Sequence, residues 1–520
     1  MNALPGHSRR DVLRISSAAI AAAALSGCAG ADDTGGSSSS GSSGTLSVGL
    51  FEVPVGFAPL YSNSQNVRWV TEPATDTLLT HDASGKLVPH LAAALPVAGP
   101  GGVSYTIRLR KGVRFHNGDD LTAEHVAASF NFIPGSRGKS QFLSLLAPWF
   151  NKAVVVDPLT VRLELRMPYG ILPDQLARIP ISHKDFIAEK AKLVATGPFQ
   201  VDKVVTGQSM RLKRFDGYWG PKPTLSAIVM TSVPDPSTRL VNLREGKIHI
   251  ATGVQPVDIA GIQRDRSLKL HEIQGTGGIR AMLNMTRKPF NNPDFRRALA
   301  FAMDREGVRE AVFHGEAEIA QGPLGPNVIG YDAGYRPYPA KADLNQAREL
   351  LKASGVSKDT TFKIMVSTSG AARDIAQVFA ENWGRLGIKV TLDVADPANW
   401  NRRWLIRDYD MSLTVQEYGL VGGSMPLSQF TVYRAASRQN PGYRNGAFDR
   451  DFGRLFATSD EAERAQLAGK LNRILAEEAI ELPPVYPKLL VAQRAEVSGL
   501  DERALLLGRL NLRGVSISSR

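Results

Sequence analysis

The sequence carries a single cysteine, Cys28, in 520 residues, so it holds no internal disulfide and no metal site built from several thiolates. It has no Gly-x-Ser-x-Gly elbow, no His-Glu-x-x-His pair, no phosphate loop and no dinucleotide-binding glycine fingerprint. Those absences argue against the hydrolases, zinc proteases and nucleotide-binding enzymes that carry such motifs, though not against an active site whose residues meet only in space. No catalytic residue, cofactor or metal ligand is therefore expected, and the dispersed histidines, His116 among them, read as turn or packing residues. Runs of five or more basic residues are also missing. The net charge of +12 is thus better matched to anionic headgroups or an anionic ligand than to nucleic acid, which is not an expected partner. No apolar stretch is long enough to span a bilayer; the run Ile15 to Leu25 is short and mostly alanine.

What is present suggests two or three domains, given the length and an ordinary hydrophobic share of 43%. Residues 1–27 read as a targeting segment, with Arg9-Arg10 ahead of the short apolar run. The boundary Leu25-Ser26-Gly27-Cys28 resembles the lipobox of bacterial lipoproteins, which makes Cys28 the expected lipidated first residue of the mature chain. The twin arginines suggest Tat export. Loss of the segment removes Arg9, Arg10, Arg14 and Asp11, and the net charge falls from +12 to +10. Residues 28–44 are Gly/Ser-rich and form a tether with a root-mean-square reach of about 20 to 25 Å.

Leu109 to Val126, LRKGVRFHNGDDLTAEHV, is the most specific stretch. Tyr105, Ile107 and Leu109 alternate with Thr106, Arg108 and Arg110, as in a half-buried strand. Asn117-Gly118-Asp119-Asp120 breaks the run, and Thr122 can cap a helix with Glu124 in its first turn. The stretch resembles the signature of the family 5 solute-binding proteins, the receptors of peptide, nickel and related ABC uptake systems. Further strings fit that resemblance in order and spacing: Pro89-His90-Leu91-Ala92, Ala195-Thr196-Gly197-Pro198-Phe199, Asp216-Gly217-Tyr218-Trp219-Gly220, and Asn284 followed by Arg297-Ala298-Leu299 and Asp304-Arg305. His249 stands where the family usually has an acid.

The resemblance implies an α/β, two-lobed periplasmic-binding-protein fold of type II with an extra subdomain in the first lobe. The expected division is a first lobe at 45–284 with the subdomain at about 77–195, a second lobe at 285–483, and a return to the first lobe at 484–520. Local patterns agree in kind. Leu78–Thr80 with Lys86–Val88, and Ala153–Val156 with Val161–Leu165, read as hairpins; Ile228–Val233 with Ser237–Glu245 and Ile248–Ala251, and Phe362–Val366 with Ala371–Leu386 and Ile388–Val394, read as strand–helix–strand units. Asn292 and Asp304 can cap helices. Thr458 and Glu461 suggest a capping box opening a helix to about Glu478, with Glu477, Glu478 and Glu481 on a solvated face.

By resemblance the loop with Gly56, Phe57 and Tyr61 faces a ligand cleft. Ser367, Thr368 and Ser369 offer hydroxyls and helix-start amides suited to an anionic group, and Trp400 and Tyr418 offer stacking. Peptide receptors of the family hold the ligand's amino terminus with an aspartate after the strand that begins Tyr-Asp. Here Tyr409-Asp410 opens that strand, Gln416 stands where tryptophan is common, Gly419 stands near the aspartate's place, and Tyr418 to Asn440 contains no acid. Either Glu417 has taken the role or the ligand is not an ordinary peptide. The function implied is a monomeric, lipid-anchored receptor at the outer face of the cell membrane or in the periplasm, passing a peptide or small solute to a permease. The alternatives are a relative that regulates an envelope partner and an enzyme on the same scaffold.

Overall fold

Three larger sheets organise the computed structural model, which describes residues 44–518 apart from 63, 83–84, 137–139, 141, 190–191, 276–277, 369–370, 417–424 and 438. The first has seven strands in the order Leu268–Ile273, Leu489–Arg494, Ile250–Thr252, Thr45–Leu50, Ala227–Ser232, Ser209–Arg214 and Phe199–Val205. Thr45–Leu50 is central and parallel to both neighbours, with Val48 opposite Met230 on one side and Ile250 on the other. The chain leaves Ala227–Ser232 through the helix Pro236–Arg244 and returns as Ile250–Thr252 across that central strand, so the expected unit exists with a strand between its two ends. Asp235 opens its helix by accepting the Thr238 amide at 2.7 Å, the usual remedy for an orphan amide in a first turn.

The second sheet has the order Gly278–Leu283, Met411–Gln416, Thr361–Ser367, Lys389–Ala395. The last three strands are mutually parallel, and the helix Ala372–Gly384 covers them with Ile375, Phe379 and Trp383 buried. This strand–helix–strand unit matches the spacing argument. A small antiparallel sheet of Val97–Ala98, Ser104–Arg108, Thr160–Leu165 and Phe150–Asp157 carries the helix Ala123–Gly135. Its core is continuous with Phe448, Phe452 and Phe456 of the helix Gly446–Ala457, and the rings of Trp149 and Phe456 stack at 5.5 Å. That second helix is absent from the sequence reading.

The sequence strings meet around Asp76, a residue that the motifs do not single out. Its buried carboxylate accepts from Thr196 Oγ1 at 3.0 Å and Trp219 Nε1 at 3.1 Å, and pairs with Arg513 Nη1 at 2.7 Å. His90 Nε2 stands 3.7 Å away. Burial pushes the Asp76 carboxyl upward, but Arg513, His90 and Trp219 outweigh it and hold the group below the usual carboxylate range. His116 binds the signature turn to the same place, accepting from the Ala195 amide at 3.4 Å and donating to the Gly197 carbonyl at 3.0 Å. Gly118 makes the turn at φ 94°, a region in which L side chains are strained.

Four expectations are corrected. Gly278–Leu283 belongs to the second sheet, so the chain crosses from the first sheet before 278, ahead of the expected boundary at 284. The return is later than 484, because Val485–Pro487 still pairs with Ala317–Ile319 and the first sheet resumes at Leu489. Thr458 ends one helix, and Asp460 opens the next by accepting from the Glu463 amide. Glu481 is not on a solvated face: the helix stops at Glu477, and the following residues turn inward and bury Glu481 to 3% exposure.

Candidate functional site

The three parallel strands of the second sheet end together at Ser367, Ala395 and Gln416, the edge at which open α/β sheets receive ligands. Ser367 lies opposite Ala395 and is nearly buried; Thr368 is exposed and donates its amide to the Ala395 carbonyl at 3.1 Å. Helices begin just beyond, at Ala372 and Pro397. Asp396 caps the second of them on the Asn399 amide, and this places Trp400 over the sheet. The Trp400 indole donates to the Met365 carbonyl at 3.4 Å and stacks on Trp404 at 6.3 Å with 9° between planes. Gln416 ends its strand opposite Gly278. The structure therefore gathers Ser367, Thr368, Trp400 and Gln416 at one sheet edge. Ser369, Glu417 and Tyr418 lie outside the described residues, as do Cys28 and the targeting segment.

The first-sheet candidates separate. Gly56 is exposed in the segment that follows Thr45–Leu50. Phe57 is 2% exposed and packs with Leu46, Val48 and Trp69, which makes it core. Tyr61 meets Phe132 edge-on at 5.1 Å and donates to the Ala188 carbonyl at 3.4 Å. The open apolar side chains of this segment are instead Phe51 and Val55, 45% and 70% exposed. Sequence reasoning passed over them because Phe51, Val53, Val55 and Phe57 share one parity and carry no sign of which are covered.

Two strand positions below Gln416, Arg280 lies opposite Thr414 and faces inward. Its Nε and Nη2 reach the two Glu481 oxygens at 3.0 and 3.2 Å, and Nη2 donates to Tyr433 Oη at 3.0 Å. Tyr433 in turn donates to Glu481. Burial pulls the guanidinium down, yet Glu481 and Tyr433 raise it above its ordinary value; burial first and then Glu481 push the Tyr433 phenol well up. Tyr433 ends the 3₁₀ segment Met425–Tyr433, so the triad fixes the carboxyl end of that segment. Arg280 went unremarked because a lone arginine in a strand is more often on a solvated face.

Among the described residues no group of three or more His, Cys, Asp or Glu side chains could hold a metal ion. The arrangement offers hydroxyls, an aromatic face and strand-end amides, which suit recognition of a polar solute.

Residues 86–439 match the family of bacterial extracellular solute-binding proteins, family 5, in its middle region. The chain is 27% identical over 495 residues to the di/tripeptide-binding protein 2 of Pseudomonas aeruginosa, covering 88% of this chain and 92% of that protein. An ABC transporter-associated periplasmic binding protein from Helicobacter pylori, solved with the peptide STSA, superposes with a TM-score of 0.82 at 23% identity, over 92% of this chain and 98% of the other. A periplasmic binding protein of A. tumefaciens R10 in complex with agropinic acid gives a TM-score of 0.81 at 23% identity, over 92% and 99%. The fold is accordingly α/β and two-lobed.

Proposed function

The chain belongs to the bacterial extracellular solute-binding proteins of family 5, and from that premise we propose that it captures a peptide or peptide-like solute between its two lobes and delivers it to an ABC permease. The observation that carries the reading is the gathering of Ser367, Thr368, Trp400 and Gln416 at the carboxyl edge of the second sheet in a chain of this family. It is a binding protein and not an enzyme. The first lobe comprises the seven-stranded and small sheets, the second lobe the four-stranded sheet with its helices, and closure brings the two lobes together about the ligand.

The ligand's amino terminus is the point at which this chain departs from peptide receptors. A buried ammonium without a carboxylate is costly, and Glu417 is the acid that the sequence offers beside the strand end. Calorimetry of wild type and Glu417→Gln with free and N-acetylated di- and tripeptides tests this. Tight binding of free peptides, lost on acetylation and in Glu417→Gln, supports the substituted acid; tight binding indifferent to Glu417→Gln refutes that role. Weak binding of all of them points to a ligand that is not an ordinary peptide, the reading we favour. A ligand at a hundredfold excess over Kd should stabilise the chain by about 2.7 kcal/mol and reduce its radius of gyration; consumption of the ligand would replace this reading with catalysis.

The mature protein is anchored to the outer face of the membrane through Cys28. No helix among the described residues is long and apolar enough to cross a membrane, so attachment would rest on the lipid and the tether. Labelled fatty acid should enter the wild type and not Cys28→Ser, with equal labelling refuting the anchor. Both forms should unfold alike, because residues 28–44 have the composition of a linker.

A further inference from the structure

A cavity of about 260 Å³ lies apart from the strand ends, and its lining comes only from residues up to Pro180 and from Arg509 onward. Four lining side chains are arginines, Arg68, Arg178, Arg509 and Arg513, against two carboxylates, Glu72 and Asp174. Glu72 takes Arg509 at 2.6 Å, and Asp76, set behind the wall, takes Arg513 at 2.7 Å. His81 and His90 also line the space. Burial pushes both imidazoles down to about 4, with Asp76 opposing at His90 and arginine charge adding to burial at His81, so neither contributes charge at neutral pH.

Arg68 is the informative member. It projects from the helix Gln65–Thr71; its Nη2 donates to the Gly508 carbonyl at 3.3 Å, while Nη1 is buried with no hydrogen-bond partner. His81 Nδ1 is in the same condition. Arg178 is buried in the same lining. Burial, and then the Arg68 charge, push the Arg178 guanidinium well below its ordinary value; burial, partly offset by Glu72 and reinforced by Arg509, brings Arg68 to about 10. Positive groups crowded around one cavity in this way would be relieved by an anion, and guanidinium forks match the paired oxygens of carboxylates and phosphates. The volume falls just below the roughly 300 to 1,000 Å³ of drug-sized ligand sites, which sets a small guest.

We propose that this cavity binds a small molecule bearing a phosphate or carboxylate group, held by Arg68 and Arg178 at a site separate from the strand-end site. A bound oxyanion would bridge the helix at 65–71, the segment around 178 and the chain near 509–513. The site is independent of which solute the strand ends receive.

Thermal unfolding and calorimetry of the purified chain with inorganic phosphate, citrate and chloride at equal ionic strength test the proposal. The expected result is a saturable rise in the unfolding midpoint with phosphate or citrate and none with chloride; which anion acts separates the two sources of the group. Arg68→Gln should weaken the apparent affinity at least tenfold. Arg68→Lys, which keeps the charge and removes the fork, should also weaken it and guards against misfolding of the first variant. No saturable response to either anion, or an equal response in wild type and Arg68→Gln, overturns the site, since excluded salts stabilise all folded forms alike.

Discussion

Glu481→Gln should lower the stability of the chain by about 3 to 5 kcal/mol, the usual cost of removing one partner from a buried ion pair. Arg280 and Glu481 are each less than a tenth exposed and joined by two hydrogen bonds, with Tyr433 bonded to both. An uncharged amide would leave the guanidinium without its counter-ion in a place that water does not reach. The pair itself need not be a source of net stability, because desolvating two charges offsets most of their attraction. Arg280→Met combined with Glu481→Leu should therefore recover much of the loss. Urea unfolding of the three proteins measures both effects, and a loss below about 1 kcal/mol in Glu481→Gln would show that the charge is not confined as the geometry requires.

Asp76→Asn should cost about 3 kcal/mol at neutral pH, somewhat less than Glu481→Gln because Arg513 retains the Thr75 carbonyl at 2.6 Å and the Tyr218 hydroxyl at 3.0 Å. Its effect should depend on pH in a set direction. The folded Asp76 carboxyl titrates below the ordinary range, so its contribution is fully present above about pH 4 and is lost as pH falls through the folded value. Wild type and Asp76→Asn should thus differ most near pH 7 and converge on acidification. Calorimetric scans at several pH values decide it; a gap that widens below pH 4 would mean that Asp76 is stabilised in its protonated form.

The strands and helices with plain periodicity were legible in the sequence. Phe362–Val366 and Ala371–Leu386 were readable because one apolar face repeats in each, and Asn292 and Asp304 because a cap is a local device. What the sequence did not show depends on distance. Gly197 stands in one of the family strings, and the structure gives a reason for its absent side chain: a Cβ there would stand 2.4 Å from the Ala74 backbone, a close approach that no local pattern encodes. Asp76 looked ordinary because its partners at 90, 196, 219 and 513 are far along the chain. Glu481 was misplaced because three nearby glutamates resemble a helical face until the helix is known to end at Glu477. At the candidate site, the sheet edge that holds Ser367, Thr368, Trp400 and Gln416 was legible from the strand–helix–strand pattern, while their contact with a ligand is a proposal. Phe57 was mistaken for a contact because burial in an irregular segment has no period to read.

The seven-stranded sheet places Leu489–Arg494 between Leu268–Ile273 and Ile250–Thr252, in antiparallel register with each. During synthesis, everything up to residue 273 is made more than two hundred residues before that strand. Over this interval, two strands carry unpaired backbone edges that only the last part of the chain can close, and open edges of this kind are templates for misassembly. The sheet is therefore completed after translation has nearly finished, and a nascent chain stalled before 489 would be a substrate for chaperones. Any export route that accepts only folded cargo would have to wait for those final residues, and a truncation before Leu489 should abolish passage by such a route while leaving residues 1–27 unchanged.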